Sequence, residues 1–158
     1  MGNMTNGKTT TPWLTESEQC LWRSWLSVAR RMDSALARDL QRDTGLSMPD
    51  YEVLVNLSEA DGHRMRMAVL ADRLTWDRSR LSHQITRMMN RGLLGKETCN
   101  SDGRGAFVVL TDHGLETIRD AAPSHVTSVR RMMFDVLSDE QAADLHEILA
   151  TLAEQFEE

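Results

Sequence analysis

Arginine, serine and histidine side chains recur along one short segment, residues 78–87, which contains no acidic residue. The guanidinium groups of Arg80 and Arg87 can each donate two hydrogen bonds to the O6 and N7 atoms of guanine. The hydroxyl and imidazole groups between them can bond base edges or phosphates. An ordinary amphipathic surface helix usually mixes Glu with Lys, and both are absent from residues 77–91. The composition of this segment therefore favours contact with nucleic acid.

The spacing of apolar residues in the same segment predicts an amphipathic helix over residues 77–90. At 100° per residue, Leu81, Ile85 and Met88 fall on one side and form a buried face. The opposite side and its flanks carry the polar residues Ser79, Arg80, Ser82, His83, Thr86, Arg87 and Asn90. The candidate donors therefore share the face that points away from the core.

The elements around this helix predict a winged helix-turn-helix. Residues 67–74 form a short helix, and Thr75-Trp76-Asp77 break it before the second helix begins. Two short strands, 93–98 and 106–110, follow around the polar loop 100–105. Helix, turn, helix and wing is the layout that places a second helix in the DNA major groove. A cation at the loop tip, Arg104, can reach the backbone or a narrow minor groove, and Asp102 can hold it in place.

Helices on either side complete an expected fold that is mainly α with a small β-hairpin wing, in the α+β class. Thr15 to Glu18 has a capping-box pattern and predicts a long helix to about residue 41. A helix follows Ser47. Another spans 111 to about 134, with a kink or restart expected at Pro123. A capping box at Ser138 opens the last of six helices.

Composition and charge narrow the function classes. The net charge is −6, yet residues 64–104 hold nine of the 18 basic and four of the 24 acidic residues. That segment is therefore +5 and the remainder −11, an asymmetry typical of small DNA-binding regulators. No apolar run reaches membrane-spanning length and no signal peptide precedes the domain, so we expect a cytoplasmic location. No metal-ligand spacing, phosphate-binding loop or nucleophile motif occurs, so we expect neither an enzyme nor a cofactor.

Several motifs in this order resemble the MarR family of transcriptional regulators. They are LADRL at 70–74, RSRLSHQITRM at 78–88, NRGLL at 90–94, DGRG at 102–105 and FVVLTDHG at 107–114. The resemblance covers nearly all of residues 14–156. It implies an intertwined homodimer whose first, fifth and sixth helices interlock, and which binds a near-palindromic operator in double-stranded DNA.

The resemblance also assigns regions and residues. Residues 1–11 are expected to be a disordered tail, 12–45 and 112–158 the helical dimerisation region, and 46–111 the DNA-binding domain. The DNA-binding positions it implies are Thr75, Asp77, Arg78, Ser79, Arg80, Ser82, His83, Arg87, Asp102 and Arg104. The dimer positions are Leu21, Leu145, Leu149, Leu152 and Phe156. Trp76 departs from the family's commonest pattern, and both packing under the helix and stacking near the sugar-phosphate chain stay open for it.

Three alternatives stay open for what the protein responds to and binds. Family members often bind small aromatic or phenolic compounds, and the candidate lining residues here are Trp22, Trp25, Tyr51 and Met67. The leading hypothesis is therefore a repressor that such a ligand releases from DNA. A cysteine on the first helix, Cys20, instead suggests a peroxide-sensing regulator. A winged-helix module that binds protein rather than DNA is the third alternative.

Overall fold

The computed structural model describes residues 11–98 and 105–156, which form six α-helices and three β-strands. The helices are α1 (Glu16–Thr44), α2 (Met48–Ser58), α3 (Met67–Leu74), α4 (Arg78–Asn90), α5 (Asp112–Val129) and α6 (Asp139–Ala153). The strands are β1 (Arg64–Arg66), β2 (Leu94–Thr98) and β3 (Ala106–Leu110). The mainly α fold with a small wing is confirmed.

The described residues up to 34 and those from 35 onwards fall into two compact units, and the boundary between them lies within α1. In the first unit, Thr15 and Glu18 form the predicted cap: the Thr15 amide donates to the Glu18 carboxylate at 2.7 Å. Most large apolar side chains of this unit lie exposed, among them Leu21, Trp22 and Val28. The helix ends three residues later than the sequence suggested, and Thr44 Oγ1 donates to the Leu40 carbonyl in its last turn.

The hydrophobic core lies in the second unit, where α2, α3, α4, α5 and the sheet converge. Helices α2, α3 and α4 and the sheet contribute completely buried side chains. Helix α5 contributes Ile118 and Ala121, which are almost completely buried. Ser47 caps α2 with a complete capping box to Asp50, and Pro49 occupies the first turn, where its missing amide hydrogen is not needed. The core therefore surrounds the helix pair that carries the candidate site.

The wing is a three-stranded antiparallel sheet in the order β1-β3-β2. The hairpin strands β2 and β3 agree with the predicted ones. In the structure they pair antiparallel, with Leu94 opposite Leu110. Strand β1 was not predicted, because three residues are too few to show a period of two. It pairs with β3, opposing Arg64 to Val109 and Arg66 to Phe107.

The expectation of a restart at Pro123 is wrong, whereas the expectation of a kink there stays a prediction. Helix α5 runs through Pro123 without interruption to Val129. One lost backbone hydrogen bond is tolerated because residues before and after the proline, Ile118, Ala121 and Ser128, anchor the helix by burial. The irregularity comes later, as a π-helical turn at Arg130–Phe134.

Helix α6 has no buried residue, although its apolar side chains repeat along one stripe. Ser138 and Gln141 form the predicted capping box at its start. Within the described residues, no helix is both long and apolar enough to cross a membrane.

Candidate nucleic-acid interface

The turn between α3 and α4 is built from three residues with distinct backbone roles. Thr75 ends α3 in the left-handed conformation, with φ 54° and ψ 35°. The Trp76 amide then donates to the Ala71 carbonyl at 3.0 Å. Asp77 caps α4, accepting a hydrogen bond from the Arg80 amide at 2.7 Å. This turn sets the angle at which α4 leaves the core.

Helix α4 divides into two faces as the sequence predicted. Leu81, Ile85 and Met88 are completely buried. The predicted DNA-facing side chains on this helix are all exposed: Arg78, Ser79, Arg80, Ser82, His83 and Arg87. The structure therefore brings these six donors together on one solvent-facing surface, which we call the reading face.

The position of Trp76, which the sequence left open, is under the first turn of α4. Its partly buried ring packs against the hydrophobic core. The guanidinium carbon of Arg80 lies 4.1 Å from the centre of the indole ring, a cation–π distance. Trp76 therefore supports both the helix and one arginine of the reading face.

Gln84 interrupts the apolar face of α4 and is 3% exposed. Sequence reasoning did not single it out. Its amide Nε2 donates to Asp50 Oδ1 at 2.7 Å, and Arg91 donates to Asp50 Oδ2 at 2.8 Å. These bonds connect the middle of α4, at Gln84, and its C-terminal end, at Arg91, to the first turn of α2.

Burial alone would raise the pKa of Asp50, whose side chain is almost completely enclosed. Hydrogen bonds from Arg91 and from the Ser47 backbone and hydroxyl outweigh this effect and leave the pKa below its ordinary value. Asp50 is therefore charged near neutral pH, and it anchors the helix as a carboxylate.

Arg87, one of the predicted DNA contacts, also donates a hydrogen bond to Gln84 Oε1. The Asp50–Gln84 pair therefore holds the Arg87 guanidinium in place before any DNA is bound. This contact leaves further N–H donors on the fork, since a guanidinium carries five. A position on the reading face and a bond to the network are thus compatible.

The wing adds two arginines that the sequence analysis did not select. Arg64 and Arg66 on β1 lie over the Phe107 ring, at 4.9 Å and 5.2 Å from its centre. Arg64 also pairs with Glu97 at 3.1 Å. The predicted wing-tip residues Asp102 and Arg104 lie outside the described residues.

The four residues predicted to line a ligand pocket have different environments. In the first unit, Trp22 and Trp25 are 54% and 46% exposed. In the second unit, Tyr51 is buried and its ring contacts the His125 ring, with centres 4.3 Å apart. Met67 lines an apolar hollow of about 280 Å³ together with Leu81 and Arg78.

His125 is a further residue that sequence reasoning did not select. Its Nδ1 atom is buried and has no hydrogen-bond partner among the described residues. Burial lowers the pKa of His125, so the ring is neutral at neutral pH.

The predicted dimer positions are largely exposed in the single chain. Leu21 is 72% exposed, Leu152 46% and Phe156 84%, whereas Leu145 is partly buried. These exposed side chains form contiguous apolar stripes, whereas the surface of an ordinary soluble monomer exposes apolar residues singly.

A short helix, a tight turn, a second helix with a polar outer face and an adjoining three-stranded wing define a winged helix-turn-helix protein. Comparison with known proteins agrees. The family model for the SarA/Rot transcriptional regulators matches residues 35–121. A search of curated proteins found no significant match.

Solved structures identify the family more closely. AbsC, a MarR family transcriptional regulator from Streptomyces coelicolor, is 53% identical, with 92% of this chain and 98% of AbsC covered and a TM-score of 0.88. Sco3205, a MarR family regulator from the same organism solved in complex with DNA, is 43% identical, with 92% of each chain covered and a TM-score of 0.88. CouR from Rhodococcus jostii RHA1, bound to p-coumaroyl-CoA, shares the fold at 22% identity, with 84% of this chain and 91% of CouR covered and a TM-score of 0.71. The chain belongs to the MarR family of transcriptional regulators.

Proposed function

We propose that the protein is a sequence-specific regulator that binds double-stranded DNA through the reading face of α4. The observation that carries this proposal is the exposure of three arginines on a helix with no acidic residue between Arg78 and Asn90. The first turn of α4 also presents the positive end of the helix dipole, which favours phosphate. The DNA complex of Sco3205, at 43% identity, supports the same use of the fold.

The reading face divides into two kinds of contact. Arg78 and Ser79 lie in the first turn, where amides and side chains commonly bond the DNA backbone. Arg80 and His83 lie one turn apart on the exposed side, where side chains reach base edges. Arg87 continues this row one turn further on, Ser82 lies to one side of it, and Thr75 and Asp77 shape the turn before it. We infer that Arg104 contacts the minor groove, with Asp102 supporting it.

We propose that the active species is a homodimer, formed by residues 12–45 and 112–158, that carries two DNA-binding regions, residues 46–111. The exposed stripes of α1 and α6 support this assembly, because pairing two chains removes that apolar surface from water. A two-fold axis then implies a near-palindromic operator with half-sites roughly 10 bp apart.

We infer that a small aromatic ligand releases the DNA, and that the protein acts mainly as a repressor. Support comes from the apolar hollow lined by Met67, which directly adjoins Arg78 and Ser82 on the reading face. A ligand that binds the DNA-free conformation more tightly would shift the population away from DNA. Tyr51 in the same unit, and Trp22 and Trp25 in the first unit, stay separate candidates for contact with a ligand.

A mobility-shift assay on the DNA upstream of the protein's own coding sequence tests the proposal. We expect tight binding that resists excess competitor DNA and weakens as salt rises. The variant Arg80→Ala should weaken binding and relax base preference by roughly 1–3 kcal/mol. The control Arg119→Ala removes the same charge from an exposed position on α5 and should bind as the wild type does.

The same assay separates the alternatives. Equal DNA binding by wild type and Arg80→Ala would contradict the reading-face assignment and favour the protein-interaction module. Adding phenolic compounds or peroxide to the complex distinguishes ligand release from oxidation. Release by peroxide that Cys20→Ser abolishes would support the redox alternative, since Cys20 is exposed on α1.

A further inference from the structure

The contact between Trp76 and Arg80 links the core to the reading face. The indole ring is anchored at its base, because the Trp76 amide bonds Ala71 and the ring packs on the core. Trp76 and Leu81 also occupy the N′ and N4 positions at which apolar residues commonly fix the entry of a helix. The ring is therefore a fixed platform.

Arg80 is held at both ends by this arrangement. Its backbone amide donates to the Asp77 cap at 2.7 Å, and its guanidinium lies over the indole ring at 4.1 Å. Within the described residues, no acidic side chain pairs with this guanidinium, whereas Arg64 and Arg91 each have a carboxylate partner. A guanidinium carries five N–H donors, so a contact between its central carbon and the indole ring leaves donors available for a base.

We propose that Trp76 is a positioning residue that holds Arg80 for bidentate recognition of one guanine in each operator half-site. The proposal rests on the proposed DNA-binding function. A guanidinium already restricted by an aromatic platform loses less conformational freedom when it binds the O6 and N7 atoms. Trp76 thereby acts on specificity through Arg80.

The expected effect follows from the strength of an exposed cation–π contact. Loss of the ring should weaken binding about two- to fivefold for each DNA-binding region, or about four- to 25-fold for the two together. The lost affinity should come from weaker discrimination between bases at one position in each half-site. A role limited to folding would instead weaken binding to every sequence equally.

The test uses the full-length protein and an operator selected from random duplex DNA. Dissociation constants are measured for the operator and for each single base-pair change, with wild type, Trp76→Leu and Trp76→Phe. Each Trp76 variant is also combined with Arg80→Ala and, as a matched control, with Arg78→Ala. Thermal unfolding of every variant checks that the fold is retained.

We expect Trp76→Leu to lose preference for guanine at one position in each half-site, and Trp76→Phe to keep most of it. The loss should vanish in the Arg80→Ala background and persist in the Arg78→Ala background. A uniform loss at all base pairs, or a loss that persists without the Arg80 side chain, would overturn the proposal.

A measurement without DNA separates this inference from the proposed function. In the free protein, the Arg80 side-chain NMR signals should show an indole ring-current shift that disappears in Trp76→Leu. If wild type binds its operator but lacks this shift, only the positioning role is refuted. If wild type selects no duplex at all, the proposed function fails and the guanine assignment fails with it, even where the shift is present.

Discussion

Gly114→Ala is expected to destabilise the protein even though it places alanine, the best helix former, inside a helix. Gly114 lies in the first turn of α5, at the end of the LTDHG sequence that joins β3 to this helix. A Cβ atom built at this position would lie 2.2 Å from the Leu93 carbonyl oxygen and 2.8 Å from Leu110 Cδ1. The first of these is a backbone atom and cannot rotate away.

Two opposing effects set the magnitude. Replacing Gly with Ala in a helix interior gains at most about 1 kcal/mol, and less in the first turn. Relieving the contact requires the Leu93 carbonyl to move by roughly 1 Å, since ordinary Cβ contacts begin near 3.4 Å. That carbonyl accepts the Thr111 amide at 3.2 Å, so the shift also disturbs the junction between β2 and α5. Overpacking commonly costs 1–3 kcal/mol, occasionally more, so we expect a net loss of about 2 kcal/mol.

Thermal unfolding followed by circular dichroism measures this loss. For a chain of this length we expect the midpoint to fall by about 4–8 °C. Gly95→Ala is the matched control, because a Cβ atom on Gly95 in β2 meets nothing within 4 Å. All proteins are compared at one concentration, since the proposed dimerisation would make the midpoint concentration-dependent.

A midpoint for Gly114→Ala equal to or above that of wild type would refute the reasoning. It would mean that the junction between β2 and α5 opens at little cost. A loss of equal size in Gly95→Ala would also contradict it, because that variant encounters no backbone atom.

Three further outcomes are expected. Asp50→Asn should cost about 2 kcal/mol at neutral pH, because a charged acceptor of bonds from Gln84 and Arg91 is lost. Because the pKa of Asp50 is lowered, its contribution to the free energy of unfolding is present above the ordinary pKa of 3.8 and is lost as pH falls through the folded-state pKa. The stabilities of wild type and variant, measured from pH 7 to 2, should therefore converge at low pH. Leu152→Glu should shift the mass in light scattering from twice 17.9 kDa towards a single chain, and an unchanged mass would argue against a dimer interface on α6. Arg104→Ala should weaken DNA binding broadly and lower the slope of log affinity against log salt by about one, and an unchanged slope would exclude a phosphate contact.

Local patterns were sufficient to predict the helices and both faces of α4. The cap at Asp77 and the burial of Leu81, Ile85 and Met88 follow from hydrogen bonding and periodicity within a few residues. The exposure of Arg80 and His83 follows from the same period. The order of motifs then sufficed for the family, because each motif carries its own local structure.

Contacts between distant residues could not be read in this way. Gln84 reads as a polar residue on a helix, and its burial is favourable because its amide nitrogen bonds Asp50, 34 residues earlier, while its oxygen accepts from Arg87. Strand β1 is too short to show a pattern and exists because β3 offers it a free edge. Helix α5 continues through Pro123 because buried neighbours on both sides offset one missing hydrogen bond.

The sequence by itself determined which residues form the reading helix and which of its faces meets the solvent, because periodicity and capping act within a few residues. Only the tertiary structure decided that Trp76 lies beneath Arg80, that Asp50 anchors α4, and that Gly114 has no room for a side chain. Each of these depends on the three-dimensional approach of atoms across a turn or between elements. Neither residue type nor local period encodes that approach.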